Sequence, residues 1–141
     1  MFVRWKFGTE AEGASDLVGD VEIESTSGDV IVGEATYLDS WCSALLDGLQ
    51  RIMKGSERVE IDLIEEPEPL VFERAGNGIR LGHLGHTVEE STLKGAAVAI
   101  EDAAVRLLAH ARALRGHADN QLLAEIDDRR REIRGMAQGA R

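Results

Sequence analysis

Apolar and polar residues alternate over residues 2–7, with Val3, Trp5 and Phe7 on one face and Phe2, Arg4 and Lys6 on the other. That period of two predicts a β-strand whose second face is partly solvated. Residues 8–15 are polar and predict a loop. Val21 and Ile23 then alternate with Glu22 and Glu24, and Val30-Ile31-Val32 resumes the run after Ser27-Gly28-Asp29. The turn chemistry between two strand-like runs predicts a hairpin over residues 20–34.

From Thr36 the period lengthens. Leu38, Trp41, Cys42, Leu45, Leu46, Leu49, Ile52 and Met53 recur at intervals of three and four, while Asp39, Ser43, Asp47, Gln50 and Lys54 take the opposite face. This is the pattern of an amphipathic helix laid on a sheet. Thr36 is the expected N-cap, with Asp39 as the acidic half of a capping box. Gly55 is the expected stop, and Arg51 and Lys54 suit the negative end of the helix dipole.

The period of two returns where Val59, Ile61 and Leu63 alternate with Glu60 and Asp62. Glu65-Glu66-Pro67-Glu68-Pro69 interrupts it, because proline cannot donate to a strand ladder. Residues 70–74 read as a second strand, and Gly76-Asn77-Gly78 turns the chain into Ile79-Arg80-Leu81. An antiparallel meander over residues 58–84 follows. Beyond it, Leu93, Ala97, Ile100, Ala104, Leu107, Ala111 and Leu114 repeat at helical spacing, with Gly116 as the stop. Asp119 or Asn120 can cap a last helix striped by Leu122, Leu123, Ile126 and Ile133, whose other face, Asp127 to Glu132, is mixed in sign and reads as solvated.

The order β, ββ, α, βββ, α, α predicts an α+β fold: an antiparallel sheet, hairpin plus three-stranded meander, covered by an amphipathic helix and C-terminal helices. A chain of 141 residues fits one domain spanning 1–141, with 117–141 a helical C-terminal extension. The N-terminus lacks the apolar stretch of a secretory signal, and no window approaches the roughly 18 apolar residues of a membrane span. The single cysteine, Cys42, cannot pair internally, which suits a reducing compartment, and the cytoplasm is the expected location.

Charge changes the picture more than composition does. Between Thr9 and Glu90 stand nineteen Asp and Glu against five Lys and Arg, a local charge of −14 inside a protein of −10. Binding to bare nucleic acid backbone is therefore not expected, and without an apolar span neither is a membrane partner. No catalytic motif accompanies the acidic stretch, and an enzyme is not expected. His83 and His86 have a metal-like spacing, but two glycines and a strand end surround them, and a third ligand would have to be Glu89 or Glu90. Surface loop histidines are the simpler expectation, with neither metal nor cofactor. Cys42 lies beside Trp41 on the apolar helix face, where a buried inert thiol is expected. Ser40 and Ser43 sit in no nucleophile elbow, and the glycine pairs lack the phosphate-loop pattern. Glu65, Glu66 and Glu68 lack the ligand alternation of an EF-hand loop. Arg129-Arg130-Arg131 with Arg134 reads as a solvated helical face.

Tyr37-Leu38-Asp39-Ser40-Trp41 before an amphipathic helix, the strand over 59–64, and Glu68-Pro69-Leu70-Val71-Phe72-Glu73 together resemble the small acidic immunity proteins of bacterial polymorphic-toxin systems, the WapI-like proteins among them. The resemblance covers about residues 18–115. It implies a non-enzymatic inhibitor that binds a cognate toxin domain. An acidic surface suits that role, because a basic nuclease-type site attracts carboxylates and low salt speeds their encounter. Glu60, Asp62, Glu65, Glu66 and Glu68 are the candidate partner-binding residues. The rival reading is an assembly protein that oligomerises, as a homodimer for instance, through its C-terminal helices, using the stripe from Leu93 to Leu114 as a seam.

Overall fold

Seven strands and three helices are seen among the described residues, 1–8, 17–113 and 121–139, of the computed structural model. In order they are β1 (Phe2–Phe7), β2 (Val18–Glu24), β3 (Val30–Tyr37), α1 (Leu38–Met53), β4 (Arg58–Ile61), β5 (Leu70–Ala75), β6 (Gly78–His83), β7 (His86–Glu90), α2 (Leu93–Ala113) and α3 (Gln121–Gly139). The fold is α+β. Most of the loop expected over 8–15, the stop at Gly116 and the caps at Asp119 and Asn120 lie outside the described residues.

The strands form two antiparallel sheets, β1-β2-β3 and β4-β5-β6-β7, where the sequence pattern predicts one. The first strand joins the predicted hairpin, and the predicted meander gains β7. That fourth strand escaped the sequence reading because only Val88 within it is buried, so no apolar alternation marks it. In the first sheet the inner rows are Val3–Ile23–Ile31 and Trp5–Val21–Gly33; in the second the central inner row is Val59–Phe72–Leu81–Val88. All the apolar members of these rows are buried in one continuous core.

Helix α1 occupies the middle of that core, packed on β2, β4 and β5 and on both other helices. Its start differs from expectation. Thr36 belongs to β3, and its Oγ1 accepts a 3.0 Å hydrogen bond from the Trp41 indole instead of capping the helix. Tyr37 stands at the cap position, and the first helical N–H, that of Leu38, is satisfied by the Leu17 carbonyl at 2.8 Å. The end matches expectation: Gly55 at φ +115° and the Ser56 N–H to Arg51 carbonyl bond of 3.0 Å form a Schellman-type close. Thr92, overlooked in the sequence, caps α2 by accepting the Gly95 N–H at 2.9 Å.

Helix α3 lies on α1 and α2 and buries Leu123, Ile126, Ile133 and Ala137. Its charged flank is only in part the solvated face expected: Asp128, Arg131, Glu132 and Arg134 are exposed, but several members are held by neighbouring helices. Arg130 reaches Asp127 at 2.7 Å and Glu101 at 3.2 Å, Arg129 reaches Asp47 at 3.4 Å, and Gln50 donates to Glu132 at 2.6 Å. A helix seated against two others brings its polar flanks into reach of both, so part of the arginine run serves packing.

One contact sets how closely α1 sits on the second sheet. A Cβ built on Gly48 would fall 2.2 Å from the Phe72 ring. Gly48→Ala is therefore expected to destabilise the protein by about 1–3 kcal/mol, overpacking outweighing the gain in helix propensity. Denaturant unfolding of both proteins measures this, and a neutral or stabilising result would show that Phe72 has room to move.

Candidate protein-docking site

The pairing of the second sheet brings two of its three connections, residues 62–69 and the Leu84-Gly85 turn, to one end. Ile61 pairs with Leu70, and His83 with His86, so both connections leave from the same side. The longer one is tied down at several points. Leu63 plugs the core, the Ile64 N–H donates to Ser40 Oγ at 3.0 Å, and the Glu66 N–H donates to the Leu63 carbonyl at 3.2 Å. His83 Nδ1 lies 3.2 Å from the Pro69 carbonyl. The loop is thus pre-shaped, which lowers the ordering cost of binding.

This end exposes apolar bulk. Leu84 is 58% and Ile64 56% exposed, among the most exposed large hydrophobic side chains described. It also holds backbone strain: Leu84 has φ +50° and Glu65 φ +58°, a region costly for side chains other than glycine. Positive φ at Leu84 and Gly85 fits a two-residue hairpin turn, where Asn-Gly would be the relaxed choice. Strain and exposed aliphatic side chains at one rim are characteristic of binding sites.

The five candidate carboxylates do not form one cluster. Glu60 and Glu68 line a shallow depression of about 530 Å³ on the outer face of the second sheet. Asp62 faces a separate hollow beside α1, shared with Ile64 and Asp47. Glu65 and Glu66 stand on the loop and line neither. Glu60 pairs with Arg58 at 3.3 Å, whereas Asp62, Glu65, Glu66 and Glu68 make no ion pair within 4 Å among the described residues. Sequence reasoning missed Glu73, which joins Glu60 and Glu68 in the depression through cross-strand register, and it missed Ile64 and Leu84.

The acidic residues of the first sheet behave differently. Glu22 accepts from Lys6 and Arg4, both at 2.8 Å, and these bonds hold its carboxyl below the usual carboxylate range, the Lys6 bond most. The stabilisation from this depressed pKa is present above the unfolded value and is lost as pH falls through the folded one. Glu24 also lies 3.9 Å from Arg4, so these two first-sheet carboxylates are paired within the fold.

His83 and His86 are not loop residues. They close β6 and open β7 as a cross-strand pair, His86 exposed and His83 only 4% exposed with its ring edge-on to Trp41. Among the described residues no three His, Cys, Asp or Glu side chains converge as metal ligands would. No described helix is long and apolar enough to cross a membrane. No known family, curated protein or solved structure matches the chain.

Cys42 is buried, and desolvation, with the negative charge of Asp39 beside it, pushes its thiol well above the ordinary range. A thiol reagent should leave it untouched in native buffer and modify it once denaturant is added. Rapid native labelling would contradict the buried, protonated state.

Proposed function

We propose that the protein is a non-enzymatic binding protein of immunity type, which docks a basic partner, a cognate toxin domain, at the loop end of its second sheet. The observation that carries this reading is the coincidence there of two exposed aliphatic anchors, Ile64 and Leu84, with carboxylates that have no ion-pair partner among the described residues. Apolar centres with a charged rim are how protein interfaces divide affinity from steering. The resemblance to acidic immunity proteins supports the same direction.

The test begins with the gene beside this one. A secreted toxin domain encoded there should lose its activity on stoichiometric addition of this protein, and full toxin activity in excess protein would refute the inhibitor reading. Against that partner, reversing Glu65, Glu66 and Glu68 to Lys should weaken binding about 10- to 100-fold, chiefly in association rate and most at low salt. Leu84→Asn should weaken binding while raising stability by about 1 kcal/mol, because it relaxes the turn and removes the anchor. Unchanged affinity in both variants would move the interface elsewhere.

A second reading draws on the other exposed apolar feature. A groove of about 510 Å³ between α2 and α3 has Ala97, Val98, Val105 and Ala137 in its lining beside Lys94, Glu101, Asp102, Arg134 and Gln138, with Val98 60% exposed. Self-association through α2 would cover it. Truncating the chain before α3 would expose core residues, so the informative comparison is full-length protein against Val98→Lys by light scattering. A concentration-dependent dimer abolished by the substitution supports assembly; a monomer in both sinks it.

A further inference from the structure

The outer face of the second sheet contains a vacancy that packing does not require. The row Glu60–Val71–Gly82–Thr87 crosses β4 to β7, and its centre has no side chain. A Cβ built on Gly82 would come no closer than 3.7 Å to Thr87 Cγ2 and 3.9 Å to Val71 Cβ, ordinary contact distances. Gly33 is the contrast, since a Cβ there would meet Trp41 at 2.7 Å. Glycine inside a strand weakens it and marks a bulge, a tight bend or the close approach of a ligand or another backbone. Here the vacancy floors the depression described above, with small walls from Val71 and Thr87 and a rim of Glu60, Glu68 and Glu73 against Arg58, which already pairs with Glu60 at 3.3 Å; His83 and His86 line the depression as well.

Resting on the docking reading above, we propose that this groove receives an arginine side chain presented by the protein partner. Its methylene stem would lie over Gly82 between Val71 and Thr87, and its guanidinium would meet the rim carboxylates. With Arg58 paired to Glu60, Glu68 and Glu73 leave the rim net acidic, the sign complementary to a guanidinium. A groove with a flat floor and carboxylates along its rim suits a planar fork of donors better than the compact ammonium of lysine. The groove also runs into the anchored end, since Leu84 and Pro69 line it too. One partner segment can therefore touch the aliphatic anchors and the groove together.

The probe is a short peptide, acetyl-Gly-Arg-Gly-amide, with its citrulline counterpart as the neutral isostere, titrated into full-length ¹⁵N-labelled protein. The expected result is saturable shifts centred on the Gly82, Val71 and Thr87 amides, with a Kd on the order of millimolar for one side chain. Citrulline should bind at least about tenfold more weakly, as loss of charge-assisted hydrogen bonds requires. Gly82→Val fills the groove with a strand-compatible side chain and should abolish the shifts while the remaining spectrum stays folded. Should Gly82→Val not fold, Glu73→Gln on the rim should still lower the affinity several-fold. Equal binding of both peptides, or persistence of the shifts in Gly82→Val, would overturn the proposal. Shifts confined to residues 64–66 would overturn the arginine groove but leave the acidic docking end standing, whereas toxin inhibition failing while the groove still binds arginine would refute only the inhibitor reading.

Discussion

The burial of Trp41 is the constraint on which the rest of the structure depends. Its ring is fully buried where the two sheets meet, and each sheet supplies something it needs. The first sheet gives Gly33, where any side chain would collide with the indole, and Thr36, whose hydroxyl satisfies the indole N–H at 3.0 Å. The second gives His83, edge-on at 5.0 Å between ring centroids. A buried indole N–H without a partner costs about 1–3 kcal/mol, so the Thr36 bond is a condition of placing tryptophan there. Because Trp41 is near the start of α1, fixing it fixes the helix against both sheets at once.

The same contacts carry order to the protein's rim. His83, held by Trp41, lies against the Pro69 carbonyl, and Ser40, the residue before Trp41, accepts the Ile64 N–H. The loop from β4 to β5 is thus moored at both ends to groups that the tryptophan positions. A surface loop with so many carboxylates would repel itself and fluctuate if it were tethered only by its strands. Moored in this way, it presents Ile64 and its acidic neighbours in one arrangement, and a partner need not pay that entropy again.

What the sequence disclosed and what it hid divide along physical lines. The apolar faces of β1, α1 and α2 were legible because burial imposes periods of two and three to four on the chain itself. The Asn-Gly turn between β5 and β6 was legible because its residues have few other uses. Strand β7 was not, since its turn is Leu84-Gly85 and leucine at positive φ is no turn signal. Nor was the division into two sheets, because which strands pair is set by three-dimensional packing that the apolar alternation of a single strand does not record. The candidate site was legible in part. Its loop glutamates stood out by charge, but Glu73 joins Glu60 and Glu68 only through register, and Gly82 becomes informative only when the space above it is known.

Leu84 is where the proposed docking end departs most plainly from what stability alone favours. Leucine in a left-handed turn is strained by about 1–2 kcal/mol, and a side chain left 58% exposed returns only part of this by burial within the fold. Asparagine at the same position would relax the turn and lower the apolar surface shown to water. Two independent physical preferences therefore disfavour the residue present. The proposed interface would supply the missing term, because burying Leu84 under a partner would recover transfer free energy that the isolated protein forgoes. The Gly82 vacancy has the same character, a position where the fold would accept a side chain and the sequence withholds one. Both departures lie along one surface, bordered by the carboxylates that gave the chain its acidic middle.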